Sequence, residues 1–178
     1  METSLKFSWD LLKYPLIWAA VILVVVLDQI SKQLIILFLP IYRRIEFIPY
    51  LNIVHAKNRG AAFSLFHDSS PAFRFFFFGV VTILCLGLLI YWIGTTPLQQ
   101  KWQRFSFALI LGGAFGNLID RVLYGEVTDF IDVFYKSYHW PAFNVADSSI
   151  TVGVSIIVLT MIGPTAANFL KKWKKTSR

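Results

Sequence analysis

Four long apolar runs divide the chain. Leu16–Leu39 is apolar except around Asp28–Gln33. Phe73–Ile93 is nearly unbroken after Arg74 and holds the Phe75–Phe78 run. Phe105–Leu123 stays apolar until Asn117, Asp120 and Arg121 appear near its end. Ile150–Leu170 is apolar, with Gly163-Pro164 as a candidate kink because proline removes a backbone donor. A helix rises about 1.5 Å per residue, so runs of roughly this length cross a hydrocarbon core of about 30 Å. The pattern predicts an all-α membrane protein, a four-transmembrane-helix bundle with spans at approximately 16–39, 73–93, 105–123 and 150–170 in a single domain over 1–178. The first run could resemble a cleaved secretory segment. Leu27-Asp28-Gln29 stands where small residues would be needed, and Glu2 and Asp10 occupy what should be a basic leader, so a retained span is expected.

The connections differ in character. Thr95–Arg104 is short and polar, as a turn between antiparallel helices should be. Ile41–Ser70 is too long for a bare connection. Arg44-Ile45-Glu46-Phe47-Ile48 and Leu51-Asn52-Ile53-Val54 read as β, with Pro49 between them, so a small sheet on the membrane surface is expected. Tyr124–Ser149 carries Phe130, Phe134, Tyr135, Tyr138, Trp140 and Phe143. Amphipathic rings favour the headgroup level, so this loop is expected to lie along the interface.

Composition sharpens the class. The chain is 56% hydrophobic and 15% charged, where a soluble domain averages about 25% charged. That excludes intrinsic disorder and argues against an ordinary soluble globule. Nine of the 17 Lys and Arg residues fall in the N-terminal segment, the 95–104 connection and the tail. With four spans these three segments share one side, so both termini are expected in the cytoplasm and both long loops outside. The net charge of +7 then reflects topology and anionic lipid rather than nucleic acid. Cys85, the single cysteine, allows no intramolecular disulfide and is expected to pack among Leu84, Leu86 and Leu88.

Ten carboxylates remain to be explained. Asp28 and Lys32 are four apart and share a helix face. A charge at the bilayer centre costs roughly 2.5–3.5 kcal/mol, which favours a functional interior or a structural pair that snorkels outward. Gly112, Gly113 and Gly116 permit close helix approach. Asn117, Asp120 and Arg121 follow on one side, and an Asp120 neutralised by Arg121 would be a polar buttress and a poor proton shuttle. Asp129 and Asp147 lie near the outer interface. An Asp at a helix start is ordinarily a cap, which is one reading of Asp147. Antiparallel third and fourth spans could also bring the two acids to one depth. Two carboxylates in one site hold a proton between them, which suits hydrolysis: one takes a proton from water while the other donates to a carbonyl oxygen. Asp132 competes with Asp129 for this role, and spacing does not choose between them. His55, His67 and His139 are scattered without metal-site spacing.

Five motifs in order resemble those of the bacterial lipoprotein signal peptidases (signal peptidase II), across nearly the whole chain. They are Asp28-Gln29-Ile30-Ser31-Lys32; Asn58-Arg59-Gly60-Ala61-Ala62-Phe63-Ser64; Gly112 through Arg121; Val127-Thr128-Asp129-Phe130; and Pro141-Ala142-Phe143-Asn144-Val145-Ala146-Asp147-Ser148. The resemblance implies an inner-membrane aspartyl endopeptidase that cuts before the diacylglyceryl-modified cysteine of a prolipoprotein. It implies Asp129 and Asp147 as the dyad, with Asn58, Gly60, Asn117, Asp120, Arg121 and Asn144 lining or supporting the site and Asp28 nearby. It further implies a surface β-cradle over 41–70 with Asn58–Phe66 closing on the substrate, an active site near the periplasmic face, and no metal or organic cofactor. A monomer in contact with membrane lipid and prolipoprotein substrates is expected. The competing class is a small transporter or proton conductor using Asp28 and Asp120, which leaves the interfacial acids and long loops without a role. A different intramembrane aspartyl protease would need a G-x-G-D pattern that is absent, and a structural assembly factor would explain only the glycine face.

Overall fold

The computed structural model describes residues 7–60 and 69–176. In chain order the elements are α1 (Trp9–Leu12), α2 (Pro15–Phe38), β1 (Arg44–Ile48), β2 (Leu51–Asn58), α3 (Pro71–Thr95), α4 (Lys101–Tyr124), β3 (Val127–Tyr135), β4 (Tyr138–His139) and α5 (Val145–Thr176). Among the described residues, four stretches are long and apolar enough to cross a membrane: Pro15–Phe38, Ala72–Thr95, Lys101–Tyr124 and Val145–Ile162. The helices begin before the hydropathy does, because their first turns are set by capping chemistry and not by apolarity. Pro15 and Pro71 open α2 and α3, and Ser70 Oγ accepts the Phe73 N–H at 3.2 Å. Gly125, at φ 72°, ends α4 in the left-handed conformation that glycine adopts without strain.

The bundle interior contains Ile17, Val21, Leu86, Leu89, Ile93, Ala108 and Leu111. Leu23, Ile30, Leu34, Phe76, Ile83 and Leu84 point outward, presenting the apolar girdle a bilayer covers. Cys85 is also on this outer face, contrary to the packed position expected for it. Helix α4 is central and packs on α2, α3 and α5. Its glycines make that possible. A methyl on Gly112 would stand 2.8 Å from Val24 Cβ, one on Gly116 would stand 2.6 Å from Asp28 Oδ2, and one on Gly113 would meet the Ala146 carbonyl. Arg104, counted above among the cytoplasmic charges, is buried. It donates to the carbonyls of Ile93 at 3.0 Å and Thr96 at 2.8 Å, satisfying two acceptors at the end of α3.

The sheet runs β1-β2-β3-β4, all antiparallel. It packs against α2 and α4. The β reading of 44–48 and 51–54 holds, and β2 continues to Asn58. Within Tyr124–Ser149, residues 127–135 form β3, which the sequence did not announce, paired with β2 through Asn52↔Asp132, Ala56↔Asp129 and Asn58↔Val127. Phe130 is buried, whereas Tyr138 and Trp140 stay exposed. Two aspartates interrupt the apolar alternation of this strand, so its pairing depends on β2 being present. Of the segment expected to close over the substrate, residues 61–66 lie outside the described residues.

Candidate active site

Asp129 comes from β3 and Asp147 from the first turn of α5. Helix α5 starts at Val145, so Asn144 is its N-cap. Asn144 Oδ1 accepts the Asp147 N–H at 2.9 Å, and Asp147 Oδ2 accepts the Asn144 N–H at 3.3 Å. This is a reciprocal capping box with aspartate in the third helical position. The cap is therefore Asn144, and Asp147 is the cap's partner. The second Asp147 oxygen accepts Asn117 Nδ2 at 2.8 Å.

The same asparagine reaches the other acid. Asn144 Nδ2 donates to Asp129 Oδ1 at 2.7 Å, and Asn58 Nδ2 donates to Asp129 Oδ2 at 3.1 Å. Asn58 Oδ1 accepts the Gly60 N–H at 3.0 Å, which shapes the backbone at the end of β2. Asn144 Nδ2 also lies 3.2 Å from Asn117 Oδ1. Three asparagines thus join two aspartates. Asp129 is buried and Asp147 half-buried. Burial pushes the Asp129 carboxyl from its ordinary 3.8 up to about 7; the Asp147 charge pushes the same way, and the Asn58 and Asn144 hydrogen bonds pull back.

Both acids line one cleft of about 920 Å3. Asn58, Asn117 and Arg121 give it a polar floor, while Trp140, Pro141, Ile150 and Val152 supply apolar wall. Such a cleft can hold an extended segment with apolar side chains and present one backbone amide to the two acids.

Asp132 is directed elsewhere. Residues three apart on a strand face opposite sides, and Asp132 accepts Asn52 Nδ2 at 2.8 Å and contacts His139 Nδ1 at 2.9 Å, away from the cleft. Asp28 and Asp120 lie behind the cleft. Asp120 is not neutralised by Arg121, a correction with a simple cause: adjacent helical residues do not face each other. Asp120 instead meets Lys32 of α2 at 3.1 Å, Gln29 at 2.9 Å and the Thr128 N–H at 3.1 Å. Arg121 turns to the cleft side, where it donates to the Asn117 carbonyl at 3.3 Å and the Gly60 carbonyl at 3.5 Å and stacks over Phe78. Asp28 and Lys32 form the expected ion pair at 2.8 Å, but fully buried instead of snorkelling outward. Lys32, Gln29 and Thr128 join this network without having been expected there. Lys32 has a sequence signal, its spacing from Asp28, whereas Thr128 enters through its backbone and has no side-chain signature.

Comparison with known proteins gives the family. Residues 20–163 match the family model for signal peptidase (SPase) II. A lipoprotein signal peptidase of Aeromonas hydrophila is 44% identical over 144 residues, covering 80% of this chain and 85% of that one. Another, from Pseudoalteromonas atlantica, is 41% identical over 145 residues, covering 82% and 87%. A bacterial membrane enzyme whose structure was determined by the in meso method superposes with a TM-score of 0.78 at 35% identity, over 87% of this chain and 92% of that one. The matched region runs from α2 into α5 and takes in both aspartates, all three asparagines and the helices and strands that position them, and on that extent of agreement the chain belongs to the signal peptidase II family of membrane peptidases.

Proposed function

We propose that this peptidase removes the signal peptide of diacylglyceryl-modified prolipoproteins at the outer face of the inner membrane, with both its termini in the cytoplasm and Asp129 and Asp147 as its catalytic pair. The observation that carries the reading is the convergence of two acids from separate elements, joined by Asn144, on one half-apolar cleft. A lipid-bearing substrate stays in the bilayer while its scissile amide reaches water at the interface, which suits a cleft at the ends of the spans.

In this mechanism the pair shares one proton, and burial favours its residence on Asp129. Asp147, held by Asn117 and the Asn144 N–H, is the base. A water gives a proton to Asp147 as its oxygen bonds to the carbonyl carbon, and Asp129 delivers its proton to the carbonyl oxygen. The tetrahedral intermediate then collapses. Asp147 passes its proton to the amide nitrogen, the C–N bond breaks, and the hydroxyl proton returns to Asp129. Both aspartates end as they began.

The test is cleavage of lipidated and unlipidated prolipoprotein by purified wild type and Asp147→Asn in detergent. The variant should elute as a folded protein and lose at least about 100-fold in kcat, and the unlipidated substrate should be cut poorly by wild type. Wild-type turnover by Asp147→Asn would sink the catalytic assignment; equal cleavage of both substrates would sink the lipid requirement.

A further inference from the structure

Lys32 takes no part in the reaction scheme above, yet only 1% of its surface is exposed. An ammonium group has three protons to donate. Three acceptors surround this one: Asp28 Oδ2 at 2.8 Å, Asp120 Oδ2 at 3.1 Å and Asn117 Oδ1 at 3.1 Å. Each acceptor leads to the catalytic pair by its own route. Asp28 Oδ1 accepts the N–H of Ala146 at 2.9 Å, the residue before Asp147. Asp120 Oδ2 accepts the N–H of Thr128 at 3.1 Å, the residue before Asp129. Asn117 Nδ2 donates to Asp147 itself at 2.8 Å.

We propose that Lys32 is a positioning residue of the peptidase: by gathering Asp28, Asp120 and Asn117 at one point, it sets the separation and orientation of Asp129 and Asp147. The inference rests on the reading of those two residues as the catalytic pair. The arrangement is close to symmetric, with one buried carboxylate holding the backbone just ahead of each catalytic acid. Gln29 spans the same two carboxylates, donating to Asp120 at 2.9 Å and lying 3.2 Å from Asp28. An amide cannot replace the cation, because two carboxylates brought together in a dry interior repel and one takes up a proton. A protonated anchor would lose part of its hold on its backbone N–H. The charged groups facing this point are Asp28 from α2 and Asp120 from α4. Asp129 from β3 feels the Lys32 charge as well, and Asp147 and Arg121 flank Asn117.

An ion pair that only ties α2 to α4 makes a different prediction. Its loss would lower the folded fraction but leave the turnover of each folded molecule intact. Displacing reacting groups by about 1 Å costs roughly 100-fold in rate. Lys32→Met, purified by size exclusion and assayed per folded molecule on lipidated prolipoprotein, should therefore lose about 100-fold in kcat with KM within about threefold. Hydrogen–deuterium exchange without substrate should show protection lost together at Thr128 and Ala146. A kcat within about twofold of wild type, a loss confined to KM, or unchanged protection at both amides would each overturn the proposal. Where Lys32→Met does not accumulate, Lys32→Arg carries the test. Its charge is kept, but a planar fork fits three convergent acceptors poorly. It should fold and lose about tenfold in kcat, and wild-type kcat would overturn the proposal. Exchange at Thr128 and Ala146 reads the anchoring directly. Failure of the catalytic assignment would show separately, as wild-type cleavage by Asp147→Asn.

Discussion

Asp129→Asn should abolish cleavage and, at the same time, remove a pH-dependent weakness from the fold. Burial and the Asp147 charge raise the Asp129 carboxyl from 3.8 to about 7. An unfolded chain loses this proton near pH 4, while the folded chain keeps it until about pH 7. Between those values the folded state binds more protons, so its stability falls as pH rises. The full penalty above pH 7 is about 4 kcal/mol, of which roughly half or a little more develops between pH 5 and pH 8. The substitution also has a constant cost. An amide offers one oxygen where the carboxylate offers two, so either Asn58 or Asn144 loses its acceptor, at about 1–3 kcal/mol. That loss does not depend on pH and cancels when the two pH values are compared. The measurable quantity is the stability of Asp129→Asn relative to wild type, which should improve by about 2–3 kcal/mol from pH 5 to pH 8. Thermal unfolding in one detergent at both pH values reads this as a change of roughly 5–10 °C in the melting-temperature gap. Parallel wild-type and variant values would refute a raised Asp129 and, with it, the assignment of the shared proton to that residue.

Two further substitutions separate the site from its surroundings. Asp132→Asn should keep kcat within about twofold while losing about 1–2 kcal/mol of stability, because Asp132 serves Asn52 and His139 on the far side of the sheet; a large kcat loss at unchanged stability would place it in the reaction instead. Gly116→Ala puts a methyl 2.6 Å from Asp28 Oδ2 and 3.2 Å from Ala146 Cβ, so it should cost about 1–3 kcal/mol and raise exchange at the Ala146 amide, and a variant as stable as wild type would show that α2 and α4 can part without consequence.

The β-strands show where sequence legibility stopped. Strands β1 and β2 announce themselves by apolar and β-branched residues between turn signals. Strand β3 does not, because Asp129 and Asp132 break its pattern, and it exists by pairing with β2. The asparagine network was readable only as a set of residues. Asn58, Asn117 and Asn144 are far apart in the chain, and nothing in their spacing says that one of them bridges both aspartates. The pairing of Asp120 was misread for a local reason. Arg121 is its neighbour in sequence, but a helix turns about 100° per residue and sends the two side chains in different directions.

What the sequence determined by itself was everything governed by one segment at a time. Apolar length produced four spans, and charge asymmetry produced an expected orientation. Close-approach glycines marked the central helix, and motif order pointed to the family and to two aspartates. Only the tertiary structure decided which charges meet. Lys32 pairs with acids on two helices, Asp132 turns away from the cleft, and Asp147 serves a helix start and lines the cleft at once. The reason is physical: helix and strand periodicities set the face a residue occupies, but the partner on that face comes from another part of the chain. In a dry interior that partner settles whether a carboxylate is a buttress, a cap or an acid that keeps its proton to about pH 7.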